Sequence, residues 1–223
     1  MAREGARVAV VARGGEAGAK VVEEIAAAGG EASFFRCNVS SREQVDAMVD
    51  AVVQRFGSLE ILVNNAGTLS RLPFEDIPED EWDRVIATNV KSVYLCCQAA
   101  GREMIRRGYG RIVNITSIWQ EEVLPNRTVY SASKAAVRQL TRVLAAEWGR
   151  HNITVNSVAP GVMMTEMARP VLSDPAVSTR FVSRTSTGRL GDPEDLCGLV
   201  IYLASEESRH VSGQSIRVDG GYY

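Results

Sequence analysis

R-V-A-V-V-A-R-G-G-E-A-G-A-K-V-V-E-E-I-A-A-A-G-G-E-A-S-F-F-R, residues 7 to 36, decides the fold. It opens on a Val-rich run at 7–11, passes through a helical pattern at 16–28 and closes on a second apolar run at 32–36. Short apolar runs rich in β-branched residues fit strands buried on both faces, and an intervening helix makes such a pair parallel. The alternation continues, with strands expected at 60–64, 111–115, 153–158 and 215–218 and helices at 41–56, 79–107, 129–149 and 193–204. The fold class is therefore α/β, a Rossmann-like doubly wound parallel sheet. Ser41 with Gln44 three residues on forms a capping-box pattern, and Asp192 before Pro193 marks another helix start.

The chain has 223 residues, enough for one domain spanning 1–223. Lys and Arg number 25 against 27 for Asp and Glu, without long blocks of either sign, which argues against nucleic-acid or membrane-surface partners and for a small-molecule substrate. Cys37, Cys96, Cys97 and Cys197 form no C-x-x-C, so they read as reduced thiols of a cytoplasmic protein. His151 and His210 lie far apart without Cys partners, and no metal site is expected. No apolar run reaches the roughly 18 residues of a membrane helix. Gly161 to Gly191 lacks a regular pattern but holds Met163, Met164, Met167 and Phe181, and is expected to be a substrate lid.

The chemistry-bearing stretches are V-N-I-T-S-I-W, 113–119, and V-Y-S-A-S-K, 129–134. Tyr130 and Lys134 are four apart at the start of an expected helix and share one face. A nearby ammonium stabilises phenolate, so Lys134 is expected to lower the Tyr130 pKa and make it a general acid or base. Ser117 follows the end of a strand, where open α/β sheets bind ligands, and its hydroxyl could orient a substrate carbonyl.

These residues resemble the short-chain dehydrogenases and reductases. The resemblance runs from Arg7 to Gly221 and includes N-N-A-G at 64–67, Asn89, the Ser117, Tyr130 and Lys134 set, P-G at 160–161 and V-D-G-G at 218–221. It implies hydride transfer between a nicotinamide cofactor and an alcohol or carbonyl. Tyr130 would be the acid/base, Ser117 would hold the carbonyl oxygen, Lys134 would bind the nicotinamide ribose, and Asn89 would anchor a water in a proton relay. Asn65, Ala66 and Gly67 would let the cofactor approach the backbone, and Pro160, Gly161 and Val162 would lie beside the nicotinamide. Arg13, closing a strand where the family meets the adenosine ribose, favours NADP over NAD. Asn38, followed by Val39, stands where the family has an aspartate at the adenine, and its amide oxygen can still accept a hydrogen bond.

The front of the chain departs from the family. A pyrophosphate loop T-G-x-x-x-G-x-G should follow a first strand, and the chain has no such segment. Gly14, Gly15 and Gly18 have the wrong spacing for it and read as turn glycines, while Ala2 to Gly5 resembles the last turn of a helix with Gly5 as a left-handed cap. The domain is thus expected to be amino-truncated, through a misplaced start or a fragment, and to lack the family's first, central strand. Flanking strands would either close up or face an empty slot, and NADP binding would be impaired. The segments 168–175 and 183–195 and the closing V-D-G-G resemble those of members acting on sugar acids, such as gluconate 5-dehydrogenases, and also those of 3-oxoacyl-carrier-protein reductases. Glu121, Arg127, Met163 and Arg169 could approach such a substrate. The helices at 79–107 and 129–149 resemble those through which the family forms tetramers or dimers. The alternative is a noncatalytic, truncated module that only oligomerises.

Overall fold

A computed structural model describes residues 1–223. Strand β1 (Val8–Ala12) pairs in parallel with β2 (Ala32–Arg36), and helix α1 (Gly15–Ala27) makes the crossover. A second sheet has the order β3 (Ile61–Asn64), β4 (Gly110–Ile115), β5 (Ile153–Pro160), β6 (Ser215–Val218), all parallel. These strands agree with the sequence expectation to within two residues at each end.

Helices cover both faces, as parallel strands with apolar residues on each side require. On one face, α4 (Ser92–Arg107) and α5 (Thr128–Trp148) bring Val93, Cys97, Met104 and Val137 onto Ile112 and Val155. On the other, Leu203 of α8 (Cys197–Ala204) packs with Val113 and Val158. Helix α2 (Arg42–Phe56) ties the two sheets together, because its cluster of Val45, Val49, Val52 and Phe56 receives Ala9 and Val11 from β1 and Leu62 from β3.

β1 and β3 belong to separate sheets, and a cavity of about 880 Å³ lies between them, lined by Val8, Ala9 and Val11 on one side and Ile61, Leu62 and Val63 on the other. β1 is only half-buried along its length, whereas β4 and β5 are buried almost throughout.

Several local expectations are corrected. The stretch 79–107 is not one α-helix: α3 (Glu79–Ile86) passes through a π-helical turn at Ala87–Lys91 before α4. Ser41 makes no side-chain cap, and Gln44 accepts the Asn38 N–H at 2.8 Å rather than the Ser41 N–H, which donates to the Asn38 carbonyl at 2.9 Å. Gly18 is not a turn glycine but a buried position inside α1, where a Cβ would come within 2.0 Å of the Phe34 ring. The 161–191 segment contains two short helices, α6 (Arg169–Leu172) and α7 (Pro175–Val182). Both carry proline in the first turn, and Asp174 caps α7 by accepting the Ala176 N–H at 2.8 Å. Gly5 does end a 3₁₀ turn, Ala2–Glu4, in the left-handed conformation at φ 85°.

Candidate active site

The C-terminal ends of β3, β4 and β5 converge on a cavity of about 430 Å³. β4 delivers Ser117, whose backbone is extended and whose Oγ accepts the Trp119 N–H at 3.3 Å. That acceptance leaves the serine's own proton free for a ligand oxygen. Helix α5 begins at Thr128, so Tyr130 sits in its first turn and Lys134 one turn further, both facing the cavity. Lys134 is 6% exposed, its Nζ donates to the Ile115 carbonyl at 2.9 Å, and it lies 5.8 Å from the centre of the Tyr130 ring.

A buried hydrogen-bonded ring fixes this pair. Ser133 Oγ donates to the Tyr130 carbonyl at 2.6 Å and accepts from Asn89 Nδ2 at 2.9 Å. Asn89 also exchanges two bonds of 2.8 Å with the backbone of Thr68, donating to its carbonyl and accepting its N–H. The loop after β3 is thereby joined to α5 through the π-helical turn. A mid-helix π turn re-aims a side chain that a regular helix would hold elsewhere, which accounts for the break in the helix at Asn89. Gly67 adjoins the same ring: a Cβ there would stand 3.6 Å from Lys134 Nζ, so a larger side chain would fill the space beside the ammonium.

Electrostatics correct one expectation. The Tyr130 pKa is raised, not lowered: burial dominates, opposed by the neighbouring Ser117 hydroxyl and the Arg127 charge. Burial also pushes Lys134 down to about 8. The lysine's nearest bond is to a carbonyl rather than to the phenol, so desolvation of the partly buried phenol prevails. Tyr130 is consequently a protonated donor at neutral pH.

On the far side of the cavity Pro160 ends β5, and Gly161 approaches the loop after β6 so closely that a Cβ would meet Asp219 Cα at 2.7 Å. Gly161 N–H donates to the Val218 carbonyl at 2.9 Å, pinning the two strand ends. The 161–191 segment is closed at its base as well: Gly191 N–H donates to the Val162 carbonyl at 3.0 Å, and Met164 N–H to the Gly191 carbonyl at 2.8 Å. From there Met163, Met167, Leu172 and Phe181 reach over the cavity.

The structure brings together Asn65, Gly67, Ser117, Tyr130, Lys134, Pro160, Gly161 and Val162 around this one space. Val39 and Ala66 line the cavity between β1 and β3, and Asn65 lines both, so the two spaces meet there. Arg13 and Asn38 line neither. Arg13 is exposed just beyond β1, and the Asn38 amide oxygen accepts the Ser40 N–H at 3.1 Å within its own turn. Arg127 and Met163 line the active-site cavity, whereas Glu121 pairs with Arg138 at 2.8 Å and Arg169 stays outside.

Sequence reasoning missed Arg71, Trp119, Thr68 and Ser133, which become neighbours only through the fold. It also missed a buried ladder in which Asn64 Nδ2 donates to Asn114 Oδ1 at 2.8 Å and Asn114 Nδ2 to Thr141 Oγ1 at 2.9 Å. The signal was available: Val-Asn recurs at 63–64 and 113–114, and those positions are direct partners across β3 and β4.

The chain is similar throughout its length to known proteins. The family described as enoyl-(acyl carrier protein) reductase matches residues 1–223. The chain is 40% identical to 5-keto-D-gluconate 5-reductase of Escherichia coli K12 over 90% of its own length and 79% of that protein. It is 39% identical to a 3-oxoacyl-[acyl-carrier-protein] reductase of Staphylococcus aureus over 100% of this chain and 90% of the relative. Among solved structures, a gluconate 5-dehydrogenase from Burkholderia cenocepacia in complex with NADP and tartrate superimposes with a TM-score of 0.95 at 38% identity, covering 99% of this chain and 86% of that one.

Proposed function

The chain belongs to the short-chain dehydrogenase/reductase family, and from that premise we propose that it interconverts a carbonyl and an alcohol on a small sugar acid, using NADP(H). The observation that carries the reading is the convergence of Ser117, Tyr130 and Lys134 on one cavity under a lid. In the reducing direction Tyr130, protonated at neutral pH, donates its proton to the carbonyl oxygen. Ser117 donates a second hydrogen bond to the same oxygen and holds it in line as charge develops. In oxidation the phenolate takes the alcohol proton back. Lys134 uses one N–H on Ile115 and keeps two for a ribose hydroxyl. The Asn89, Ser133 and Thr68 ring keeps α5 in register and lies where a water could resupply the proton.

The residues at the nicotinamide end fit such a cofactor. Gly67 leaves space beside the Lys134 ammonium, and Pro160, Gly161 and Val162 face it across the cavity. When bound, the nicotinamide supplies the hydride for reduction and receives it in oxidation. At the adenosine end, Arg13 is exposed and without a carboxylate partner, which suits the 2′-phosphate that distinguishes NADP from NAD. Val39 would bound the adenine. The open space between β1 and β3 supports weaker binding at the diphosphate than at the nicotinamide.

The sugar-acid reading is supported by the reductase and dehydrogenase relatives, the latter with tartrate, and by a cavity of about 430 Å³, which suits a compact substrate. The test is NADPH consumption across a panel of keto sugar acids and 3-oxoacyl thioesters. Turnover of the keto acids is expected, and turnover of neither class would defeat the reading. Tyr94 on α4 and Val143 on α5 are 44% and 43% exposed, which supports assembly into dimers or tetramers through these helices, measurable by light scattering. No helix is long and apolar enough to cross a membrane, and the buried free thiols Cys37, Cys96 and Cys97 support a reducing, cytoplasmic setting.

A further inference from the structure

The active-site cavity is lined by Arg71, Arg127 and Lys134 and by no aspartate or glutamate. Elsewhere arginines commonly meet acids: Arg84 with Glu81, Arg111 with Glu206, Arg189 with Asp195, Arg217 with Glu122 and Asp219. Neither Arg71 nor Arg127 has a carboxylate within salt-bridge distance. Each spends a donor on a backbone carbonyl, Arg71 Nη2 on Met167 at 2.9 Å and Arg127 Nη1 on Asn126 at 2.7 Å. A guanidinium carries five N–H donors, so both keep most of theirs.

The two cations also act on each other. Arg127 is held below its ordinary value, first by burial and then by the charge of Arg71, while the developing charge of Tyr130 favours its protonated form. Arg127 is half-buried and Arg71 exposed at the cavity's rim; with no counter-ion between them the two charges repel, and an anionic ligand relieves that repulsion. Two planar forks suit the two oxygens of a carboxylate. Arg71 is in addition bonded to the lid at Met167, so a ligand held there would meet both the fixed wall and the cover.

We infer that Arg71 and Arg127 seat the substrate's carboxylate, so that the site selects keto-acid anions over neutral ketones of the same size. This rests on the proposed reductase activity and deepens it. Steady-state kinetics with NADPH should compare a keto sugar acid with the corresponding neutral keto sugar in the wild type, Arg127→Gln and Arg71→Gln. The acid is expected to be preferred by about 100-fold in kcat/KM. Each variant should raise KM for the acid by about 30-fold with little change in kcat, as loss of a charged hydrogen-bonded contact implies, and should narrow the preference. Equal losses on acid and neutral substrates, or a wild type indifferent to the carboxylate, would overturn the inference while leaving the reductase reading intact.

Calorimetric titration with tartrate, compared with the neutral tetrol threitol, decides the point without turnover. Saturable tartrate binding that is lost in Arg127→Gln supports the seat, and equal binding of tartrate and threitol, or tartrate binding unchanged in both variants, contradicts it. If no carbonyl is reduced, the proposed function fails on its own account and the tartrate titration still judges the arginines.

Discussion

The two sheets of this molecule are built from similar sequence and behave differently. β3 to β6 form a continuous parallel ladder in which Ile112, Val113, Val155 and Val158 are completely buried. β1 and β2 form an isolated pair with no fully buried position, attached to the rest chiefly through α2. All the reacting groups belong to the first region, and the residues assigned to the adenosine end, Arg13, Asn38 and Val39, belong to the second. On the proposed function, the proton-transferring groups would therefore be held by close packing, and the adenosine end of the cofactor would rest on the more loosely attached pair of strands.

The largest effect should come from the locked half. Tyr130→Phe is expected to lower kcat by about 10³-fold, within the range for loss of a positioned general acid, with NADPH affinity little changed. A comparable fall in NADPH affinity would mean that the two regions are not separable in this way. The pH dependence follows the same donor. Because Tyr130 is raised, reduction should hold through neutral pH and fall only in the alkaline range as the phenol loses its proton, while oxidation rises there.

A stability measurement reads the same burial. Lys134 is held down to about 8, so between there and the ordinary lysine value the folded state binds fewer protons than the unfolded chain. The cost of burying the ammonium is therefore fully present below pH 8, and relief on the order of 3 kcal/mol accrues as pH rises towards about 10.4. Lys134→Met should remove that component of the slope from denaturant unfolding curves at pH 8 and 10. An unchanged slope would show that the ammonium is solvated.

Hydrogen exchange addresses the two sheets directly. Amides of β4 and β5 should exchange at least about 100-fold more slowly than those of β1 and β2, as expected when opening of a peripheral pair costs less than global unfolding. Equal protection would dissolve the comparison. The smallest effect is a matched pair of glycine substitutions. Gly161→Ala meets the Asp219 backbone at 2.7 Å and should cost about 2 kcal/mol. Gly18→Ala meets the half-buried Phe34 ring, which can turn, and gains helix propensity, so its net cost should stay below about 1 kcal/mol. Thermal unfolding of both variants ranks them.

Much of this was legible in the sequence, because buried parallel strands announce themselves as unbroken apolar runs. The pair Tyr130 and Lys134 was legible for a related reason: a one-turn spacing on a helix fixes their relation before any tertiary contact forms. What was not legible depended on closure in space. The π turn at Ala87–Lys91 has no glycine or proline to mark it, since its cause is the Asn89 bonds to Thr68 and Ser133. The direction of the Tyr130 shift required knowing how deeply the phenol is buried. Arg71 carries no local signal, and its place beside the cavity arises only where the fold brings the Met167 carbonyl to it. The two short helices of 161–191 were missed although one had a local signal, Asp174 as an N-cap before the first-turn Pro175.

The proposed function stands or falls on hydride transfer at the Ser117 and Tyr130 end of the cavity. The most direct measurement is incubation of the protein with a keto sugar acid and NADPH deuterated at the transferring carbon, followed by mass analysis of the hydroxy-acid product. One deuterium is expected on the former carbonyl carbon, with product formation lower by about 10³-fold in Tyr130→Phe. A product without deuterium, or one formed equally well by the variant, would contradict it.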